Sequence, residues 1–433
     1  MALGSGGDAA AKRLRQPADG DEPEAQLDHL SALLEPLQLR ILTFHPLSPS
    51  STKLLVALEL RQSHGRRRRI DRYSLVIDTL SMRPRGLGRY LAAAARCGVD
   101  DLRFELRRTG LGSNLVPLLT AAAGPTLARL SLRGIGVAGL HSRAARPCAA
   151  LEVFCLHSVR LDDGDLARML VLCPRLRVLG LRAYTGVSRV VVTAAMGLSS
   201  LRSVTIVFVD CSSITEVGFT VVSSLWSFRY SGSFFFCLPD DASFADLDIR
   251  FGVQKSCNVL ICQKVFSDWF ESRVCSKLVT LTTALSSLYS LLFEMNAPEL
   301  ANIYVFLKKS GCSNLERLFV QLPIAPYEPL VDSFDYVGLE PPTDVLENLK
   351  VVKITNFSWN RFELQLVCFL LRKARSLRKL LLITPSLVPL HVPGIQKADL
   401  LFLAEAVANG KVILSVSDDA ATQPFHSDVS ADF

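Results

Sequence analysis

Apolar residues return along this chain as a repeated triplet. The spacing Leu-x-x-(Leu/Phe)-x-(Leu/Ile) appears as Leu127-Leu130-Leu132, Leu151-Phe154-Leu156 and Leu176-Leu179-Leu181. It continues as Leu201-Val204-Ile206 and Leu225-Phe228-Tyr230. Successive copies are offset by 24, 25, 25 and 24 residues. Looser copies flank this block: Val99-Leu102-Phe104 before it and Phe244-Leu247-Ile249 after it. Ile70-Tyr73-Leu75 reads as a first, capping strand. Leu315-Leu318-Val320, Leu349-Val352-Ile354 and Leu377-Leu380-Leu382 extend the series.

The last two positions of each triplet alternate, so they share one side of a β-strand. The leading residue, three places earlier, packs where the chain enters the strand. The rest of each unit must carry the chain back to begin the next parallel strand, which requires a crossover. A period of about 20–29 residues is the leucine-rich-repeat range. The predicted fold is therefore an α/β leucine-rich-repeat solenoid. It has a curved parallel β-sheet, with helices or irregular returns on the convex side.

One return is spelled out. Asp162 and Asp163 suit a helix start. Leu166, Met169 and Leu170 keep helical spacing, and Cys173-Pro174 ends the helix. Helical spacing recurs over 362–375, and VILSV (412–416) reads as a terminal strand. Residues 255–295 (mixed strand and helix signals, with Trp269 and Phe270) and 323–347 (acidic and proline-rich) read as interruptions of the array.

Composition agrees with a shared interior: hydrophobic residues make up 49% of the 433. No stretch approaches the roughly 20 apolar residues of a spanning helix, and the small, polar, basic N-terminus lacks an apolar secretory core. Eleven cysteines lie scattered without a CxxC pair. They read as buried reduced thiols, which places the chain inside the cell, in nucleus and/or cytoplasm. The net charge of +7 is concentrated early, in the run Arg66 to Arg69. That run reads as a solvated loop ahead of the first strand, with a nuclear-import or nucleic-acid patch as the alternative. No RNA- or DNA-binding module accompanies it, so nucleic acid is not the expected partner.

Several segments resemble the plant F-box/leucine-rich-repeat proteins that carry an FBD-like C-terminal region. RRIDRYSLVID (68–78) resembles the family's first strand, and VDDLRFEL (99–106) its first repeat. LEVFCLHSVRLDDGDLARMLVLCPRLRVLGL (151–181) resembles its strand–helix–strand segment ending in L-x-x-C-P-x-L and the next strand. LWSFRYSG (225–232) is similar to its L-x-x-F-x-Y-x-G unit, and 346–385 to its C-terminal signature. The resemblance implies a substrate-receptor subunit of an SCF-type ubiquitin ligase. In such a subunit an F-box docks on a Skp-type adaptor and the repeats hold a target protein. Ubiquitin chemistry belongs to other subunits, so no enzyme activity, catalytic residue or cofactor is expected. The chain departs from the pattern at 25–55, which lacks the opening Leu-Pro and the closing Arg-Trp of an F-box. The F-box is read as absent or degenerate, which leaves adaptor binding open and makes a stand-alone scaffold or decoy the alternative.

On this reading the chain divides into a disordered basic tail (1–24) and a degenerate or missing F-box region with linker (25–64). Leucine-rich repeats (65–265), C-terminal repeats with the FBD-like segment (266–416) and a polar tail (417–433) follow. No metal-ligand spacing, nucleophile elbow or phosphate-binding loop is present. The adjacent acidic pairs Asp162/Asp163, Asp240/Asp241 and Asp418/Asp419 read as caps or turns. Binding is expected on the strand residues that point away from the core. The candidates are Arg129, Ser131, Arg133, Val153, His157, Arg182, Thr205 and Arg229. Their arginines suit an acidic or phosphorylated segment.

Overall fold

The structure is a computed structural model. It describes residues 72–77, 98–106, 115–117, 126–138, 147–183, 186–193, 196–207, 216–220, 224–232, 244–251, 277–284, 312–322, 346–359, 361–384 and 397–418. All of them belong to one compact unit, Pro46–Phe433. The basic tail, the 25–64 region and the arginine run lie outside the described residues, as do Trp269, Phe270 and most of 323–347.

In chain order the strands are β1 (Arg72–Ile77), β2 (Asp101–Leu106), β3 (Leu115–Pro117), β4 (Arg129–Arg133), β5 (Gly136–Ala138) and β6 (Val153–His157). Then come β7 (Val178–Arg182), β8 (Arg189–Thr193), β9 (Ser203–Val207), β10 (Glu216–Thr220), β11 (Ser227–Gly232) and β12 (Asp246–Phe251). The last are β13 (Thr280–Ala284), β14 (Arg317–Gln321), β15 (Val351–Thr355), β16 (Lys379–Ile383) and β17 (Val412–Ser415). The helices are α1 (Asp163–Val171), α2 (Arg361–Lys373) and α3 (Lys397–Ala408).

Thirteen strands make one sheet in the order β1-β2-β4-β6-β7-β9-β11-β12-β13-β14-β15-β16-β17. Every neighbouring pair is parallel. This is the leucine-rich-repeat solenoid that the triplet spacing predicts. Register stacks Tyr73, Leu102, Leu130, Phe154, Leu179, Val204 and Phe228 into one continuous inward row. The row runs on through Leu247, Leu281, Leu318, Val352, Leu380 and Val412, and every member is at most 2% exposed. Burying each such side chain contributes on the order of 1.5–3 kcal/mol.

A second regularity sets the corner of each unit. The backbone N–H of the leading residue donates to the carbonyl three residues back: Leu151 to Cys148, Leu176 to Cys173, Leu201 to Leu198, Leu315 to Cys312 and Leu349 to Leu346. The residue receiving that bond is buried in each case. Three of the five free, buried cysteines among the described residues therefore occupy one repeat position. The hydrogen bond to Cys148 and burial together hold the Cys173 thiol far above its ordinary range, so it stays protonated. At the other end of the strand the chain leaves through a left-handed residue. Gly134, Ser158, Ala183 and Asn356 all have positive φ. The N–H groups of the first three donate to the carbonyls of His157, Arg182 and Val207 on the following strand.

Helix α1 starts as expected. The Asp162 side chain accepts from the Asp165 N–H at 2.6 Å, and Leu166, Met169 and Leu170 are buried. Asp163 ties this start to the next return, accepting from Ser188 N–H at 2.7 Å and Arg189 N–H at 2.9 Å. Gly186 is obligatory in that return. Its φ is +93°, and a Cβ there would lie 2.4 Å from the Leu161 carbonyl oxygen.

Three features depart from the sequence reading. Part of 255–295 continues the array instead of interrupting it, because β13 pairs on both sides with Leu278 and Leu281 inward. Its third inward position is Thr283, 2% exposed, and that polar residue breaks the apolar triplet. Some returns carry extended chain, since β8 pairs with β10 and β3 with β5 in two small parallel sheets. Helix α3 precedes the terminal strand and buries Leu403 and Ala406. Its apolar residues run round the helix without a face, as Leu401 (61% exposed) shows, so periodicity does not mark it.

Candidate functional site

The outward side of the sheet carries three parallel rows. Register places Arg129 beside Val153, Ser131 beside Cys155, and Arg133 beside His157. His157 in turn neighbours Arg182, and Thr205 neighbours Arg229. All eight residues selected from the sequence therefore stand at outward positions on adjacent strands. Their accessibility differs. Arg129 is exposed, and Ser131, Arg133, Val153, His157, Arg182 and Arg229 are half-buried. Thr205 is buried at 3% exposure, so it supports its neighbours rather than offering a surface.

Arg133 and Arg182 flank His157 in one outward row. Burial, then the charges of Arg133 and Arg182, hold the His157 pKa below its ordinary value, so the ring is neutral near pH 7. Ser158 Oγ lies 2.9 Å from its Nδ1. Arg133 reaches Glu105 at 3.6 Å, and nearby Asp101 meets Arg72 at 2.8 Å. Burial and the charge of Arg229 lower the Arg182 pKa.

The more elaborate arrangement lies on the following strands. Asp248, 1% exposed on β12, sits between Arg229 Nε and Arg250 Nε, each 3.1 Å from one carboxylate oxygen. Arg250 Nη1 also donates to Gln321 Oε1 at 3.2 Å, reaching across to β14. Burial raises the Asp248 pKa, while Arg250 and Arg229 pull it down. The same burial lowers the Arg229 pKa, with Asp248 opposing. One step along β12, Asp246 accepts from Ser227 Oγ at 2.9 Å. Burial raises its pKa to about 7, against the Ser227 hydrogen bond and the charge of Arg317.

Beside this cluster opens a cavity of about 340 Å³. Arg229, Asp248, Arg250, Thr282, Gln321, Lys353, Asn356 and Asp418 supply its polar lining, and Phe319 and Ile383 supply apolar wall. Lys353, on β15, is 3% exposed, and its ammonium pairs with the Asp418 carboxylate beyond β17. The Thr282 hydroxyl is buried without a hydrogen-bond partner among the described residues. Asn356 is fixed by a bond from Nδ2 to the Leu322 carbonyl at 2.8 Å.

Of this group the sequence reading selected Arg229 alone. The alternation in ADLDIRF is a usable signal, since Asp246, Asp248 and Arg250 alternate with the inward Leu247 and Ile249. Asp418 reads with Asp419 as a cap or turn. The structure also pairs it with Lys353, which no local pattern foretells.

Residues 339–382 match a family described as FBD. The described part of that stretch is β15, α2 and most of β16, a single strand–helix–strand unit of the sheet. No curated protein matches the chain. Among the described residues no helix is long and apolar enough to cross a membrane.

Proposed function

We propose that the chain is a protein-interaction module that resembles the substrate-recognition subunit of an SCF-type ubiquitin ligase. The solenoid captures a target protein on the outward face of its sheet and performs no catalysis itself. The observation that carries this reading is the position of the FBD match, at 339–382, on a repeat of the same sheet that bears the outward arginines. An F-box-associated segment and a continuous recognition surface then belong to one body. Parallel repeats suit that work, because stacking presents one residue per strand in unbroken rows. Arginine's planar fork suits carboxylate or phosphate groups on the target.

A second reading is a stand-alone leucine-rich-repeat scaffold or decoy that holds the target without delivering it. It rests on residues 25–55, which lack the Leu-Pro and Arg-Trp landmarks of an F-box. Co-precipitation of a Skp-type adaptor with the full chain separates the two. Retention of the adaptor supports the receptor, and its absence alongside a retained target supports the scaffold. Charge reversal at Arg129, Arg133 and Arg182 should release the target in either case. Undiminished capture by that triple variant would remove this face from the mechanism.

A further inference from the structure

We infer that the cavity beside β12–β15 is a recognition site for a carboxylate on an acidic peptide segment, and that Asp418 of the chain's own tail fills that position in cis. The inference deepens the reading of the outward face as a capture surface, and relies on it only for where the incoming segment comes from.

The asymmetry of the Lys353–Asp418 pair carries the argument. The Lys353 side chain is 3% exposed and that of Asp418 is 50% exposed. A buried ammonium without a counter-charge is costly, so Lys353 needs an anion beside it. Asp418 has no such need, because a half-exposed carboxylate is well served by water. One partner is fixed and demanding, while the other is replaceable. The tail is steered there by a short turn after β17, in which Ser415 Oγ donates to the Ser417 carbonyl at 2.7 Å and accepts from the Ser417 N–H at 3.3 Å.

The rest of the cavity is prepared for a larger guest than one aspartate. Three cationic side chains face two carboxylates across its lining. Asp248 is already held by Arg229 and Arg250. Displacing Asp418 leaves the cationic excess to the newcomer. The Thr282 hydroxyl, 4% exposed and lining the cavity, has no partner among the described residues and is available to a peptide polar group. Phe319 and Ile383 give an apolar wall for the stem of the incoming residue.

The test is calorimetric titration of the full chain with a blocked synthetic peptide of residues 416–424, VSDDAATQP. Asp418→Asn removes the cis competitor and should raise affinity for this peptide about tenfold over the unaltered chain, as expected for relief of intramolecular competition. Adding Lys353→Met should abolish the gain. A peptide carrying Asp418→Asn and Asp419→Asn should not bind the Asp418→Asn chain, and that comparison stands even if the Lys353 variant does not fold. Equal binding of both peptides, or no binding to the Asp418→Asn chain, overturns the inference. Neither adaptor nor target enters this titration, so a positive result with failed target capture would reject the receptor reading alone.

Discussion

From β4 to β9 the central outward row reads Ser131, Cys155, Gly180, Thr205; from β11 to β15 it reads Arg229, Asp248, Thr282, Phe319, Lys353. Inward, the two stretches are the same ladder of buried apolar side chains, save for Thr283 in the second. Outward, the first is built of small residues with cations beside them, and the second carries three charged groups, Arg229, Asp248 and Lys353, that are themselves largely buried. At Gly180 an added Cβ would already lie 3.1 Å from Cys155 Sγ, so the small residues there are close-packed. The first stretch keeps 24 or 25 residues per step, whereas later steps range from 19 to 37. Regular spacing therefore reports how well the units stack. It does not report where the outer surface is most specialised.

The largest predicted effect lies in the second stretch. Asp248→Ala removes a buried carboxylate from between two part-exposed guanidinium groups, and should destabilise the fold by about 3 kcal/mol. Denaturant unfolding checks this, and a loss below 1 kcal/mol would show that Asp248 contributes no more than an exposed pair does.

An intermediate effect depends on pH. The Asp246 carboxyl has its pKa raised from 3.8 to about 7 by burial, with the charge of Asp248 adding and Ser227 and Arg317 opposing. The folded chain thus keeps a proton that the unfolded chain has released. The stabilisation from this group is fully present below about pH 4 and is lost as pH rises through about 7. Asp246→Asn should melt like the parent at pH 4 and exceed it at pH 8, by roughly 2 kcal/mol or more. Parallel melting profiles across that window would mean the carboxyl is not desolvated as its position requires.

The smallest effect belongs to the first stretch. Glu105→Ala breaks the 3.6 Å contact with Arg133, whose side chain is 43% exposed, and should change stability by less than about 1 kcal/mol. Salt titration of the parent and the variant should converge. A loss comparable to that of Asp248→Ala would erase the distinction between the two stretches.

Most of the fold was legible because the inward rows are local. Three apolar residues within six positions identify a strand, and a constant offset identifies its neighbours. Local spacing does not mark a strand whose inward residue is polar, as at Thr283, or a helix with apolar residues all round, as α3. The same alternation sets Arg129, Arg133, His157 and Arg182 between the inward positions, which is where strand register has them. The second half of the site was not legible, because Lys353 and Asp418 meet through folding of chain segments 65 residues apart. Asp248 could be placed outward from ADLDIRF. Its enclosure by Arg229 and Arg250 depends on which strands become neighbours.

In the long ladder the backbone of each described rung is hydrogen-bonded only to the rung before it and the rung after it, and few side chains, such as Arg250 and Lys353, reach further. Such a molecule melts as a zipper does. Heat or a pulling force should peel rungs from β1 or β17, which border a single neighbour each, and a lesion midway should split the transition into two waves rather than lower one sharp midpoint. A chain of this kind tolerates mutational damage in proportion to its distance from the surface in use, and it can lengthen or shorten by whole rungs while the remaining ones keep their grip.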